Sequence, residues 1–146
     1  MSVGEKDLLP GVIENLTGNV LFHGIQVKPG MPTMLSVVKG TPVLSLSGNP
    51  FAVEALFEVL AGGYLTDMEA SRYLQKNQMK ILKQTFVKTG KMKRIVKGRC
   101  DESGVYLPQI QKNGQLKNGI GSNCLVIFPE GERTYAEGEA VRVIRI

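Results

Sequence analysis

The chain has no apolar run of the roughly 18 residues that a membrane-crossing helix requires. Its opening residues 1–7 lack the apolar core of a secretory signal, so export is not expected and a cytoplasmic setting is. Cysteine is scarce. Cys100 and Cys124 are too few for a disulfide framework and read as reduced thiols of a cytosolic protein. Histidine is scarcer still: His23 stands alone in an apolar stretch, without a second imidazole or a nearby thiolate, which argues against a zinc-type site. No Ser/His/Asp arrangement and no Cys/His cluster is present, and no internal repeat or low-complexity segment. The most informative deficit is local. Residues 72–99 contain no acid at all, against ten Lys and Arg.

That basic band sits in an otherwise balanced chain. Residues 1–71 hold three Lys against seven acids, and residues 100–146 hold five basic against six acidic residues. With hydrophobic residues at 42% and charged residues at 21%, the composition is that of a folded chain rather than a disordered one. A concentrated band of one sign can attract nucleic acid, a phosphorylated ligand or an acidic protein surface. It can equally be alternate lysines on strands that face water and blunt sheet edges. A nucleic-acid surface would interleave aromatic residues for base stacking, and residues 72–99 offer only Tyr73 and Phe86, so nucleic acid is the weaker reading.

The first half reads as α/β. Asp7 can cap a helix whose apolar positions Leu9, Val12, Ile13 and Leu16 recur at i, i+3, i+4 and i+7. Pro10 is tolerated in the first turn, and Gly18 suits the left-handed residue after the last. Residues 20–22 and 25–27 read as strand, and Lys28-Pro29-Gly30-Met31-Pro32 interrupts regular structure. Residues 42–46 read as a buried strand. Ser47-Gly48-Asn49-Pro50 is a turn by chemistry, leading into a helix over residues 51–61 that is apolar except for Glu54 and Glu58. Those acids share one face, so the rest is expected to be buried. Strand, polar loop and helix form the unit that can offer backbone N–H groups to an anion.

The second half has little helical periodicity. Short β-like runs at residues 79–87, 92–99, 105–107, 124–128 and 140–146 are separated by turn signals such as Thr89-Gly90, Ser103-Gly104, Glu130-Gly131 and Glu137-Gly138. This spacing suggests a small barrel or sandwich. Each half is about 70 residues, near the lower limit for an independent core, so the chain is expected to oligomerise or to belong to something larger.

Three stretches resemble the MoeA family, the molybdopterin molybdenumtransferases that include the gephyrin E domain. Ser2-Val3-Gly4-Glu5-Lys6-Asp7 resembles the tail of a Gly-Gly-Val-Ser-x-Gly-x-x-Asp motif. Val27-Lys28-Pro29-Gly30-Met31-Pro32-Thr33 is similar to a Lys-Pro-Gly-x-Pro loop, and Leu46-Ser47-Gly48-Asn49-Pro50-Phe51-Ala52 to a Leu-Pro-Gly-Asn-Pro-x-Ser-Ala loop. Asn123-Cys124-Leu125-Val126-Ile127-Phe128-Pro129 and Gly138-Glu139-Ala140-Val141 extend the likeness. The resemblance implies that residues 1–65 are the C-terminal part of a MogA-like three-layer α/β domain that binds molybdopterin. Residues 66–77 would be a linker and residues 78–146 a small all-β barrel domain. Met1 falls inside a motif whose preceding Gly-Gly is absent, so the chain is expected to be the C-terminal part of a longer protein and to be inactive alone.

The activity so implied is insertion of molybdate into adenylylated molybdopterin, assisted by Mg²⁺, with release of AMP. The resemblance also implies a homodimer with active sites at the subunit interface. Carried over by position, Asp7 matches an aspartate near metal or molybdate, as Mg²⁺ prefers oxygen ligands, and Lys28 matches a site lysine able to neutralise phosphate or molybdate. Ser47, Gly48, Asn49 and Pro50 match a substrate-binding loop; Lys97 and Gln111 fall on ligand-facing barrel positions. Each has a plainer reading: a cap for Asp7, a solvated charge for Lys28, an unliganded turn for residues 47–50, and exposed strand or loop positions for Lys97 and Gln111. The chain departs from the family pattern at Ser47 (for proline), Ala52 (for serine), Gly24 (for lysine), Lys97 (for arginine) and Asn113 (for serine). Other function classes are a non-catalytic binding module with a basic face for nucleic acid or an acidic partner, and a dimerisation scaffold.

Overall fold

The computed structural model describes residues 7–61, 76–108 and 121–146. The first helix, α1 (Leu9–Asn15), starts where the Asp7 carboxylate accepts the Leu9 N–H at 3.2 Å. It ends in a hydrogen-bond pattern that satisfies two otherwise orphaned carbonyls: Gly18 N–H donates to Ile13 and Thr17 N–H to Glu14, both at 2.9 Å. The left-handed residue there is Thr17 (φ 55°), not Gly18. Gly18 is needed for a different reason, since a β-carbon on it would lie 2.7 Å from the Ile13 side chain and 2.9 Å from Val38. The expected buried face is only partly realised: Ile13 is buried, while Val12 and Leu16 remain about half exposed.

After α1 come β1 (Asn19–His23), β2 (Val27–Lys28), β3 (Met34–Val38) and β4 (Thr41–Ser45). β1, β3 and β4 form a three-stranded antiparallel sheet in that order. The β3–β4 hairpin turns on Lys39 (φ 50°) and Gly40 (φ 80°), the two positive angles that a tight two-residue turn demands. β3 lies outside the strands expected from sequence. The expectation of a buried strand at residues 42–46 is corrected as well: among the described residues β4 pairs only with β3, at the sheet edge, and its residues are half-buried or exposed.

Helix α2 (Pro50–Leu56) follows, and continues as a π-helical turn over Phe57–Ala61. Pro50 takes the first position, where its missing N–H costs nothing. The buried residues of α2 are Ala52, Ala55 and Leu56; Val53, Phe57 and Leu60 remain partly exposed, so the helix is less enclosed than its two-acid pattern suggests.

The remaining strands are β5 (Asn77–Ile81), β6 (Phe86–Lys88), β7 (Lys93–Cys100), β8 (Val105–Tyr106), β9 (Cys124–Phe128), β10 (Arg133–Tyr135) and β11 (Ala140–Arg145). The run at residues 79–87 is thus split between β5 and β6, and β10 lies outside the expected strands. The principal sheet runs β2-β7-β9-β11-β5, with β8 on β7. Past β5 the chain reaches β8: Leu82 bridges Val105 in parallel, and Lys83 N–H donates to the Val105 carbonyl at 2.9 Å. The pairings therefore return on themselves. β6 and β10 form a separate two-stranded ribbon.

All five residues of β9 are buried, and alternation explains why. Cys124, Val126 and Phe128 point into one cluster with Leu82, Val96, Cys100, Val105, Val141 and Val143. Leu125 and Ile127 point the other way, into a second cluster with Ile95, Ile144 and the α2 residues Ala55 and Leu56. Leu46, Phe51, Ile25 and Val27 flank that second cluster. Two pieces of the first half thus complete the second: α2 covers the outer face of β7, β9 and β11, and β2 adds a parallel edge strand to β7.

The ribbon is tied in by aromatic contacts and one buried cation. Phe86 stacks on Phe128 at 4.5 Å, and Tyr135 meets Phe128 at 4.8 Å. Lys88 is almost wholly enclosed, and its ammonium donates to the carbonyls of Gly90, at 2.8 Å, and Gly131. Cys100 and Cys124 are both buried free thiols. Burial, together with the neighbouring Cys100, pushes the Cys124 thiol up to about 12.

Candidate functional site

The Ser47–Pro50 loop is built by its own side chains. Asn49 caps α2, its Oδ1 accepting from Phe51 N–H at 3.0 Å and Ala52 N–H at 3.3 Å. The Ser47 hydroxyl, nearly buried, accepts from Asn49 N–H at 3.4 Å. This changes the anion argument made from sequence. Pro50 has no N–H, and those of Phe51 and Ala52 are already matched by Asn49, so the helix start does not present a row of empty donors. Gly48 is exposed beside them. Ala52 is fully buried, a poor place for the hydroxyl that its family counterpart carries.

The Lys28 loop packs against this helix. Gly30 adopts φ 111°, and a β-carbon there would fall 2.1 Å from Leu56 Cδ1, so only glycine lets α2 settle on the loop. Thr33 closes the same loop from within, donating to the Gly30 carbonyl at 2.7 Å. Gly24 has φ 91° and donates to the Thr33 carbonyl at 2.8 Å; a lysine would be strained in that conformation.

Lys97 approaches α2 from the sheet. Its ammonium lies 2.5 Å from Glu54 Oε2 and 5.4 Å from the Phe51 ring centroid. Alternation along β7 puts Lys97 on the face of Ile95, which is the face α2 covers. Lys28 lies on the other face. Its register partner on β7 is Arg94, one residue from the Val27–Lys93 pair that marks the α2 side. Lys28 and Arg94 are therefore adjacent cations on one sheet face, and among the described residues neither has a carboxylate partner.

The sequence-derived residues thus fall into three places. Ser47, Gly48, Asn49 and Pro50 lead into α2, and Lys97 reaches the same helix at Phe51 and Glu54. Lys28 is on the neighbouring edge strand, facing away from Lys97. Asp7 sits at the start of α1, which packs on β1 of the three-stranded sheet. Gln111, with Asn113, lies outside the described residues. No group of three or more His, Cys, Asp or Glu able to hold a metal ion occurs among the described residues. Three contributors were not picked out by sequence reading: Arg94, Phe51 and Glu54. Period-two alternation can place Lys97 beside Ile95, but nothing local to β7 announces which helix lies above it or that β2 aligns Lys28 with Arg94.

Comparison with known proteins bears on the same segments. Residues 1–67 match a family described as a probable molybdopterin binding domain. A molybdopterin molybdenumtransferase of Staphylococcus aureus (strain COL) is 27% identical over 99% of this chain and 36% of its own length. The MoeA molybdopterin biosynthesis protein of Pyrococcus horikosii superposes over 95% of this chain and 34% of its own, with a TM-score of 0.77 and 29% identity. The chain is similar to MoeA proteins along nearly its whole length. A molybdenum cofactor biosynthesis protein of Pyrococcus furiosus shares the fold, with a TM-score of 0.64 over 88% of this chain at 22% identity. The chain spans about a third of the length of such relatives. The likeness along 99% of the chain takes in the Lys28 loop, the Ser47–Pro50 loop and β7. No described helix is long and apolar enough to cross a membrane.

Proposed function

We propose that this chain contributes to a molybdopterin molybdenumtransferase, which inserts molybdate into adenylylated molybdopterin and releases AMP. The observation that carries the reading is the Lys28–Arg94 pair. Like charges directly across a strand pair repel. Two cations held in register, with no carboxylate between them among the described residues, suit a dianionic ligand, whose oxygens can accept from both. Arginine offers a planar fork for phosphate-type oxygens and lysine a mobile point charge, so the pair can both orient and neutralise. The names of the relatives support the ligand class: an anionic pterin phosphate and molybdate as substrates.

Asp7 is the position at which Mg²⁺ would be held. It is a single carboxylate, which suits an ion that keeps waters and takes its remaining ligands from substrate phosphates. When bound, the ion would neutralise phosphate charge. The residues of this chain would do the rest: Lys28 and Arg94 hold anionic oxygens, while the Ser47–Pro50 loop, locked by Asn49, fixes the start of α2 on the opposite face of the sheet. Within this reading residues 1–65 belong to the molybdopterin-binding α/β domain, residues 66–77 to a linker and residues 78–146 to a β-barrel. The ring of pairings from β7 through β9, β11, β5 and β8 supports the barrel. The full protein works as a cytoplasmic homodimer, and this chain alone is inactive.

Isothermal titration with molybdopterin and then its adenylate, with and without Mg²⁺ and molybdate, tests the reading. Binding that weakens in Lys28→Ala, Arg94→Ala and Asp7→Ala is expected. Folded protein with unchanged affinity in all three variants would refute the assignment. Turnover by the isolated chain would refute its expected inactivity.

A further inference from the structure

Glu54 and Glu58 lie one helical turn apart, and each engages a lysine from beyond residue 75. Glu58 sits 3.5 Å from Lys76, whose side chain is 43% exposed. Glu54 sits 2.5 Å from Lys97, whose side chain is 19% exposed and lies over Phe51. The two pairs differ in what surrounds them. Lys97 is fixed on β7 and reaches the first turns of α2, where the backbone donors of Phe51 and Ala52 are already taken by Asn49. The positive charge of Lys97 is therefore what that spot has to offer an anion, and Glu54 holds it.

We propose that Glu54 is an internal competitor for Lys97: its carboxylate occupies the place of a ligand's phosphate-type oxygen, and an incoming anion binds there by exchange with it. The proposal rests on the functional reading above and adds a positioning residue to it. Glu54 does three things in this role. It keeps a partly buried ammonium satisfied in the unliganded protein. It holds the lysine over Phe51, at the first turn of α2. It also sets a threshold, since a monoanion gains little by replacing one carboxylate with another, whereas a group of higher charge gains more. The site is thereby biased toward di- and trianionic groups such as phosphate or diphosphate, and against carboxylates.

Titration of the folded chain with inorganic pyrophosphate tests this, in wild type, Glu54→Gln, Glu58→Gln, Lys97→Met and Lys28→Ala. A half-exposed ion pair is a modest competitor, so Glu54→Gln is expected to tighten pyrophosphate binding about two- to fivefold. Lys97→Met should weaken it and Glu58→Gln leave it unchanged, although Glu58→Gln removes the same charge from the same helix. Glu54→Asp should behave like wild type. Equal gains in Glu54→Gln and Glu58→Gln would reduce the effect to net charge and overturn the proposal. Loss of binding in Lys28→Ala with none in Lys97→Met would also overturn it, while leaving the functional reading intact. Absence of pyrophosphate binding in every folded protein would overturn both.

Discussion

Helix α1 and its two cap residues leave Leu8, Val12 and Leu16 at 79%, 47% and 48% exposure, whereas α2 brings Ala52, Ala55 and Leu56 to 1% or less. The two helices have the same length, seven residues each, and both carry an apolar face. What separates them is the surface opposite. α1 meets β1, a bulged edge strand that itself exposes Leu21. α2 meets the outer face of β7, β9 and β11, where Ile95, Leu125, Ile127 and Ile144 line up. Periodicity names a face; it does not supply the partner that buries it. The well-anchored region of this chain is therefore the sheet of the second half together with α2 and β2, and the three-stranded sheet with α1 is the lightly held one.

The sharpest way to break this contrast is Phe128→Ala. Phe128 is fully buried between Phe86 and Tyr135, and its removal should cost about 3–5 kcal/mol in denaturant unfolding. Leu56→Ala probes the α2 contact itself, and about 2–5 kcal/mol is expected because Leu56 fills the space over Gly30. A loss below about 0.5 kcal/mol would mean that α2 does not share the core of the sheet in solution. Asn49→Ala removes a cap with two hydrogen bonds and should cost about 1 kcal/mol, with Asn49→Asp close to neutral. Leu16→Ser on α1 should stay within about 0.5 kcal/mol, the signature of a side chain with little across from it.

What the sequence made legible follows the range of the interactions. Asn49-Pro50 announces its helix because a cap and a fixed φ act within three residues. The run Cys124–Phe128 announces β9 because five apolar residues in a row need cover on both sides. The turns at Gly131 and Gly138 were readable for the same local reason, each taking a positive φ. The misses are long-range. β3 and β10 are short strands defined by their partners, β4 is demoted to an edge by pairing on one side only, and Gly18 proved to be a packing glycine because Ile13 and Val38 crowd it. The candidate site divides in the same way. The loops around Lys28 and Ser47–Pro50 stood out by residue type. Arg94 became visible only through the β2–β7 register, and Glu54 only through the helix that crosses Lys97.

The two enclosed thiols give this fold its own clock. Cys124 lies against Cys100 at the heart of the β7–β9 ladder, with its thiol pushed up to about 12 by burial and by that neighbour. Both thiols are buried, so neither should meet an alkylating reagent until the ladder parts, and Cys124 is held in the unreactive thiol form as well. Labelling rates followed by mass spectrometry would then time the opening of the sheet directly, without any introduced probe. The same elevation has a thermodynamic face. An unfolded thiol ionises near its ordinary value while the folded one resists, so folding stability is intact below that value and drains away as the pH climbs toward about 12. Alkali should loosen the molecule from the inside of its best-packed sheet, the reverse of the edge-first fraying that α1 would lead one to expect.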